Sequence, residues 1–265
     1  MTVEIQTTSP SKSALYMGYA LSVVFMLFML MDAAMKFTHA AAVVQTTQQL
    51  EIPATMIPTL GVIVLVCLAL YVVPATTVLG AILFTGYLGG AIAIHARVGN
   101  PLFTHVLFPI YVALFMWGGI WFRDHTLRDL FPIVKEPGSS ASSKGLLYTG
   151  YVIGILAALF VLFSAVMKFV YTPPAGAPPP SFPMQYIHTL AYNEIVLVAL
   201  YLFPRTTFFG AVFLSGYLGG ATAIDLRSGE SVGGSLVPAI ISVALWAGYW
   251  LRNRQVRALI PLRNK

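Results

Sequence analysis

Long apolar runs, separated by short polar segments, make up most of the chain. The runs cover roughly residues 14–37, 54–73, 76–96, 104–122, 146–170, 188–203, 206–224 and 235–251. Most of them approach the length of about 20 residues that an α-helix needs to cross a bilayer. Pro74 and Pro204 each divide a longer stretch and are followed by two threonines, which is typical of a turn and a new helix start. The pattern therefore predicts eight transmembrane helices.

The second half of the chain repeats the first. Residues 71–99 align without a gap with residues 201–229, and both contain the run Gly-Tyr-Leu-Gly-Gly-Ala. We expect an all-α integral membrane protein of two tandem four-helix bundles. A unit of four helices begins and ends on the same side of the membrane, so the bundles should have parallel topology. The predicted divisions are a cytoplasmic segment 1–13, a first repeat 14–134, a flexible linker 135–145 and a second repeat 146–262.

Composition and charge narrow the classes of protein that fit. The chain is 58% hydrophobic, and 9% of its residues are Asp, Glu, Lys or Arg, against about 25% in ordinary soluble domains. A soluble globular enzyme, a disordered chain and a disulfide-built secreted domain are excluded, and the lipid bilayer is the expected surrounding. The net charge of +6 comes from cations in short segments between apolar runs, which does not indicate nucleic-acid binding.

The distribution of cations predicts the orientation. Eleven Lys and Arg residues lie on the side of both termini and four on the opposite side. Because cytoplasmic segments carry the excess of positive charge, both termini should be cytoplasmic. The two longer loops on the opposite side, 38–53 and the proline-rich 171–183, are too short to form domains.

Ionisable residues within apolar segments are costly and need a physical reason. The sequence offers one polar set in each repeat, either as a functional site or as charge pairing and anchoring at the membrane surface. The set of the first repeat is Asp32, Lys36, His95 and Arg97, and that of the second is Lys168, His188, Asn193, Glu194, Asp225 and Arg227. Glu194 is the strongest functional candidate, with a structural hydrogen bond as the alternative. The scattered histidines show no metal-ligand spacing.

Small residues predict where helices pack. Gly86 and Gly90, and likewise Gly216 and Gly220, are spaced as Gly-x-x-x-Gly within predicted helices. This spacing lets a neighbouring backbone approach closely. We therefore assign these glycines to helix packing.

The motifs resemble those of the DoxX-like family of bacterial membrane proteins. The resemblance rests on an early Lys-Phe pair, the run from Pro-x-Thr to Gly-Tyr-Leu-Gly-Gly-Ala, the His95-Ala96-Arg97-Val98-Gly99 segment and a Trp-rich fourth helix. It covers nearly the whole chain twice and implies a helical bundle in the bacterial inner membrane. Family members usually carry a Glu in the second helix. Glu194 matches that position, whereas the first repeat has Val64 and the second repeat has Asp225 in place of His95.

The resemblance also implies a class of function. Members of the wider group are linked to quinone-dependent sulfur oxidation and to oxidative-stress complexes. One hypothesis is therefore a subunit that binds a quinone or a similar lipophilic molecule and works with a membrane or soluble redox partner. No cofactor is evident in the sequence itself, and whether the chain is an enzyme stays open. A non-catalytic scaffold or assembly protein, and a small-molecule or ion carrier, are the alternatives.

Overall fold

The computed structural model describes residues 11–133, 143–170, 172, 181–229 and 231–262, and no strand occurs among them. Each of the eight predicted apolar segments contains one long helix. In chain order the helices are α1 (Lys12–Phe37), α2 (Ala41–Gln49), α3 (Ile57–Val72), α4 (Thr77–Arg97), α5 (Phe108–Arg123), α6 (His125–Leu130), α7 (Lys144–Val170), α8 (Ile187–Leu202), α9 (Thr207–Arg227), α10 (Val232–Ser235), α11 (Val237–Arg252) and α12 (Arg254–Leu259). The shorter helices α2, α6, α10 and α12 lie between or after the long ones.

Two helices begin shortly before the predicted divisions of the chain. Helix α1 begins at Lys12, inside the predicted N-terminal segment, and α7 begins at Lys144, inside the predicted linker. Most of that linker and most of the proline-rich loop lie outside the described residues. The segment 38–53 contains the helix α2.

Seven of the long helices are long and apolar enough to cross a membrane, judged by length and composition over the part of the chain that the structure describes. They are α1, α4, α7 and α9, together with the stretches Ala54–Val72, Leu102–Arg123 and Val232–Arg252, which contain α3, α5 and α11. Helix α8 is the exception, and it carries His188, Asn193 and Glu194. The protein is therefore an all-helical, multi-pass membrane protein.

Within each repeat the second and third long helices form a tight hairpin. Thr76 donates its hydroxyl to the Leu70 carbonyl at 2.7 Å, and Thr206 makes the same bond to Leu200. These bonds satisfy carbonyls at the end of α3 and of α8, which lack helical partners. The threonines that follow the two prolines thus close equivalent turns.

The two repeats meet along α4 and α9, where glycine allows the backbones to touch. A Cβ atom added at Gly89 would lie 1.9 Å from the Gly216 carbonyl oxygen, and one at Gly219 would lie 2.2 Å from that of Gly86. Small residues permit such close packing in membrane bundles. The closest approach thus involves two glycines that the Gly-x-x-x-Gly spacing did not select.

The other two selected glycines lie farther along the same contact. A Cβ atom at Gly90 would lie 3.1 Å from that of Ala223, and one at Gly220 would lie 3.1 Å from that of Ala93. All four predicted packing glycines therefore lie between the repeats.

Candidate functional site

The second repeat contains a buried ion pair between α7 and α8. The Lys168 Nζ atom lies 2.9 Å from both carboxylate oxygens of Glu194, and Glu194 is only 3% exposed. Ser164, one turn before Lys168, accepts a bond from the ammonium group at 2.6 Å and donates to Glu194 at 3.1 Å. Since an unpaired buried charge is strongly destabilising, this pairing explains how α8 accommodates its carboxylate.

A third helix completes this site. Tyr217 of α9 reaches Glu194 with its hydroxyl group. The carboxylate is thus surrounded by a lysine, a serine and a tyrosine from two other helices. Together Ser164, Lys168, Glu194 and Tyr217 form what we call the second-repeat pair site.

The first repeat pairs its lysine with a different carboxylate. Lys36 donates to the Asp32 carboxylate within α1, and the Tyr87 ring of α4 lies 6.0 Å from the Lys36 ammonium nitrogen. Asp32 Oδ2 is buried and has no hydrogen-bond partner in the described structure. Val64 of α3 lies at the position that Glu194 takes in α8 and is fully buried. Asp32, Lys36 and Tyr87 form the first-repeat pair site.

Comparison of the two sites shows that the carboxylate has changed helix. Asp32 lies four residues before Lys36 and Ser164 lies four residues before Lys168, so these two positions are equivalent. The first repeat therefore has an acid on its first helix and Val64 on its second. The second repeat has serine on its first helix and Glu194 on its second. Each repeat keeps one carboxylate for its lysine.

The structure divides the four polar residues expected to cluster in the first repeat. Asp32 and Lys36 pair as expected. His95 instead lies with Asn100, whose amide nitrogen is 2.8 Å from His95 Nδ1, and its ring centroid is 5.6 Å from that of His105. Arg97 points elsewhere and bonds Glu51.

The polar set of the second repeat is divided in the same way. Lys168 and Glu194 are paired, whereas Asn193 is exposed and Asp225 is half-buried near the end of α9. The His188 ring stacks on Phe169, the residue after Lys168, with ring centroids 5.3 Å apart.

Phe169 also meets Tyr192 at 5.2 Å. His188, Phe169 and Tyr192 are all exposed. This aromatic group has no equivalent in the first repeat, where Pro58 and Val62 take the positions of His188 and Tyr192.

One important residue was missed by the sequence reasoning. Glu51 accepts hydrogen bonds from Arg97 at 2.7 Å and from Arg227 at 2.9 Å, and so joins the ends of α4 and α9. The hydrogen bond and the charge of Arg97 are the main causes that hold the pKa of Glu51 below its ordinary value. A signal was present, because Glu51 is the one charged residue of the loop 38–53.

No group of three His, Cys, Asp or Glu side chains lies close enough to hold an ion within the described ranges. The polar atoms near the pair sites are instead suited to hydrogen bonding and to charge pairing.

Comparison with known proteins gives one match. A sequence model of the DoxX-like family matches residues 20–119 and again residues 152–248. Searches of curated proteins and of solved structures found no match. The two matched stretches coincide with the two repeats and together cover well over half of the chain.

Proposed function

The chain belongs to the DoxX-like family, and we propose that it binds a quinone or a similar lipophilic molecule beside a buried acid–lysine pair. In this role it is a multi-pass subunit associated with a membrane oxidoreductase of the bacterial inner membrane. The observation that carries the proposal is the Lys168–Glu194 pair, which lies inside an apolar bundle. Ionisable groups within membrane helices commonly mark ligand or proton sites.

Two features favour eight spans for this protein. Helix α8 occupies in the second repeat the place that α3 occupies in the first, packed against the first and third long helices. Its carboxylate is neutralised by Lys168, which lowers the cost of placing α8 in a bilayer.

Parallel topology is supported by the order of contacts along α4 and α9. Thr85 lies against Gly216, Ala93 lies against Gly220, and Arg97 and Arg227 meet at Glu51. The contacts thus advance in the same direction along both helices. With the excess of cations on the side of the termini, this topology makes both termini cytoplasmic.

A quinone fits the second-repeat pair site for chemical reasons. Its carbonyl oxygens accept hydrogen bonds, and Lys168 and Tyr217 are donors inside the bundle. The exposed rings of Phe169, His188 and Tyr192 offer an aromatic surface near Lys168, on which a flat ring can pack. Lipophilic ligands bind sites of this kind, mostly apolar with a few placed polar groups.

Binding of a short-chain quinone to the purified protein in neutral detergent tests this function. We expect Glu194→Gln to weaken binding by about tenfold or more, because it removes the charge that positions Lys168, a loss of about 1.4 kcal/mol. The matched control Glu51→Gln makes the same chemical change away from the pair and should leave quinone binding unchanged. A protein that retains no quinone and shows no affinity for one would contradict the proposal.

The scaffold alternative is not favoured, because it needs glycine faces that are free to hold a partner. The glycine faces that would hold a partner are covered by one another between α4 and α9. A copurifying oxidoreductase subunit, retained in native mass spectrometry, would support the proposed association.

A further inference from the structure

The ends of α4 and α9 form a charged junction between the repeats that is separate from both pair sites. Arg97 and Arg227 are the last residues of these helices, and both bond the same carboxylate oxygen of Glu51. Arg97 Nε also donates to the Ser181 carbonyl at 3.0 Å, and Arg227 donates to the Glu51 carbonyl at 3.4 Å. We call these four residues the arginine junction.

Glu51 and Ser181 occupy equivalent positions in the two repeats. Each lies two residues before a proline, Pro53 or Pro183, that precedes the second long helix. Each accepts, at its backbone carbonyl, a hydrogen bond from the arginine of the other repeat. The first repeat therefore supplies a carboxylate side chain to the junction, and the second supplies a short hydroxyl.

Because residue 181 is serine, the space that a glutamate at this position would fill is open. A depression of about 400 Å³ lies beside Arg97 and is lined by Gln49, Glu51, Arg97, Val98, Ser181 and Pro183. The lining offers the Arg97 guanidinium group and the amide and hydroxyl groups of Gln49 and Ser181, which are suitable hydrogen-bond donors for an anion. The Glu51 carboxylate also lines the depression and is paired with the arginines.

The two guanidinium groups are held in place and largely covered. The Arg97 side chain is 17% exposed and the Arg227 side chain 13%, whereas Glu51 is 60% exposed above them. Arg227 Nε is buried and has no hydrogen-bond partner within the described structure. Asp225 adds a further acidic group near this end of α9. Planar guanidinium groups match the oxygen geometry of phosphate and carboxylate groups.

Glu51 itself is fixed by its neighbour. Leu50 packs with Ile94 and Ile224, near the ends of α4 and α9, in a small apolar cluster. Glu51 has a backbone φ of 55°, in the left-handed region that is unfavourable for a residue other than glycine. The Glu51 carboxylate is thus held between the two arginines despite its unfavourable backbone conformation. It is the anion on one side of the arginine junction.

We propose that the other side of the arginine junction binds a phosphate group, beside Arg97 and opposite Ser181. Residue 181 is the equivalent of Glu51 in the second repeat. The phosphate occupies the space that a glutamate side chain at residue 181 would fill. Because the junction lies at the ends of two membrane helices, the phosphate can come from a lipid headgroup or from a soluble molecule. This site does not depend on quinone binding.

The test uses the full chain and two probes. Inorganic phosphate is added to the protein in neutral detergent, with chloride at equal ionic strength as the reference. Phosphatidylglycerol is added to phosphatidylcholine nanodiscs that contain the protein. The readout is the shift of the thermal midpoint with probe concentration, since a ligand of the folded state stabilises it. A response to phosphate indicates a soluble source, and a response to phosphatidylglycerol alone indicates a lipid headgroup.

Substitutions at residue 181 make the test specific. Ser181→Glu fills the depression with the carboxylate that the first repeat already has, and should weaken the apparent affinity at least tenfold. Ser181→Ala leaves the depression open and should keep the affinity within a few-fold. Arg97→Gln should abolish the response as well. No response to either probe, or equal responses in Ser181→Glu and Ser181→Ala, would overturn the proposal.

Discussion

At the scale of single residues, the pairing of one lysine with one carboxylate is kept in both repeats although the carboxylate comes from different helices. Lys36 bonds Asp32 on its own helix, and Lys168 bonds Glu194 on the next one. In the first repeat, Val64 takes the position of Glu194. In the second repeat, Ser164 takes the position of Asp32. What both sites require is therefore a neutralised lysine charge, and either helix can supply the counter-charge.

Moving the acid within the first repeat tests this equivalence. Asp32→Ser should lower stability because it leaves Lys36 without its partner. The double variant Asp32→Ser, Val64→Glu recreates the arrangement of the second repeat and should recover most of that loss. Thermal midpoints in neutral detergent measure both effects. The control Asp32→Ser, Val64→Gln adds a side chain of similar size without the charge, and equal midpoints for the two double variants would refute the equivalence.

Sequence reasoning reached part of this site and not the rest, for a physical reason. Spacing along one helix predicts the Asp32–Lys36 pair, since residues four apart share a face. It cannot show that Asp32 replaces Glu194, because that exchange joins positions on two helices. The tertiary packing that places Lys168 beside Glu194 must be known first.

At the scale of helices, the lengths of the apolar runs predict the long helices. They do not predict the short helices or the way in which the long helices cross. Helices α6 and α12 follow apolar runs and were not predicted. Each begins at a capping side chain, Asp124 or Asn253, that accepts two backbone N–H bonds. A capped helix of six residues is too short to show a periodic pattern. The crossing of α4 and α9 depends on which glycine faces the partner, which spacing alone leaves undetermined.

The crossing makes a prediction with an internal control. Gly89→Ala should destabilise the protein by about 1–3 kcal/mol, because its Cβ would overlap the Gly216 carbonyl and push the repeats apart. Gly86→Ala should be almost neutral, since its Cβ would meet only the Ser215 carbonyl, at 3.6 Å. Chemical or thermal unfolding in detergent compares the two variants. Equal destabilisation would mean that α4 and α9 do not cross at Gly89.

At the scale of the whole molecule, the apolar crossing of α4 and α9 joins the two repeats, and within the described ranges the charged contact at Glu51 joins them as well. Glu51 comes from the loop of the first repeat, and its carboxylate connects Arg97 of that repeat to Arg227 of the other. The crossing of α4 and α9 contains apolar residues and does not depend on protonation. The contact of Glu51 with the two arginines does, because protonation removes the charge of Glu51. The stability of the joined repeats should therefore depend on pH through Glu51.

The sign of that dependence follows from the lowered pKa of Glu51, which the hydrogen bond and charge of Arg97 cause and the charge of Arg227 supports. The stabilisation is fully present above the pKa of the unfolded chain, about 4.3, and is lost as the pH falls through the lower folded value. The arginines stay charged throughout. In thermal unfolding, the midpoint difference between wild type and Glu51→Gln should be constant at neutral pH and shrink in acid. Taking this difference removes the pH dependence that both proteins share. A difference that stays the same down to about pH 3, well below the ordinary pKa of glutamate, would mean that Glu51 does not bind the arginines through its charge.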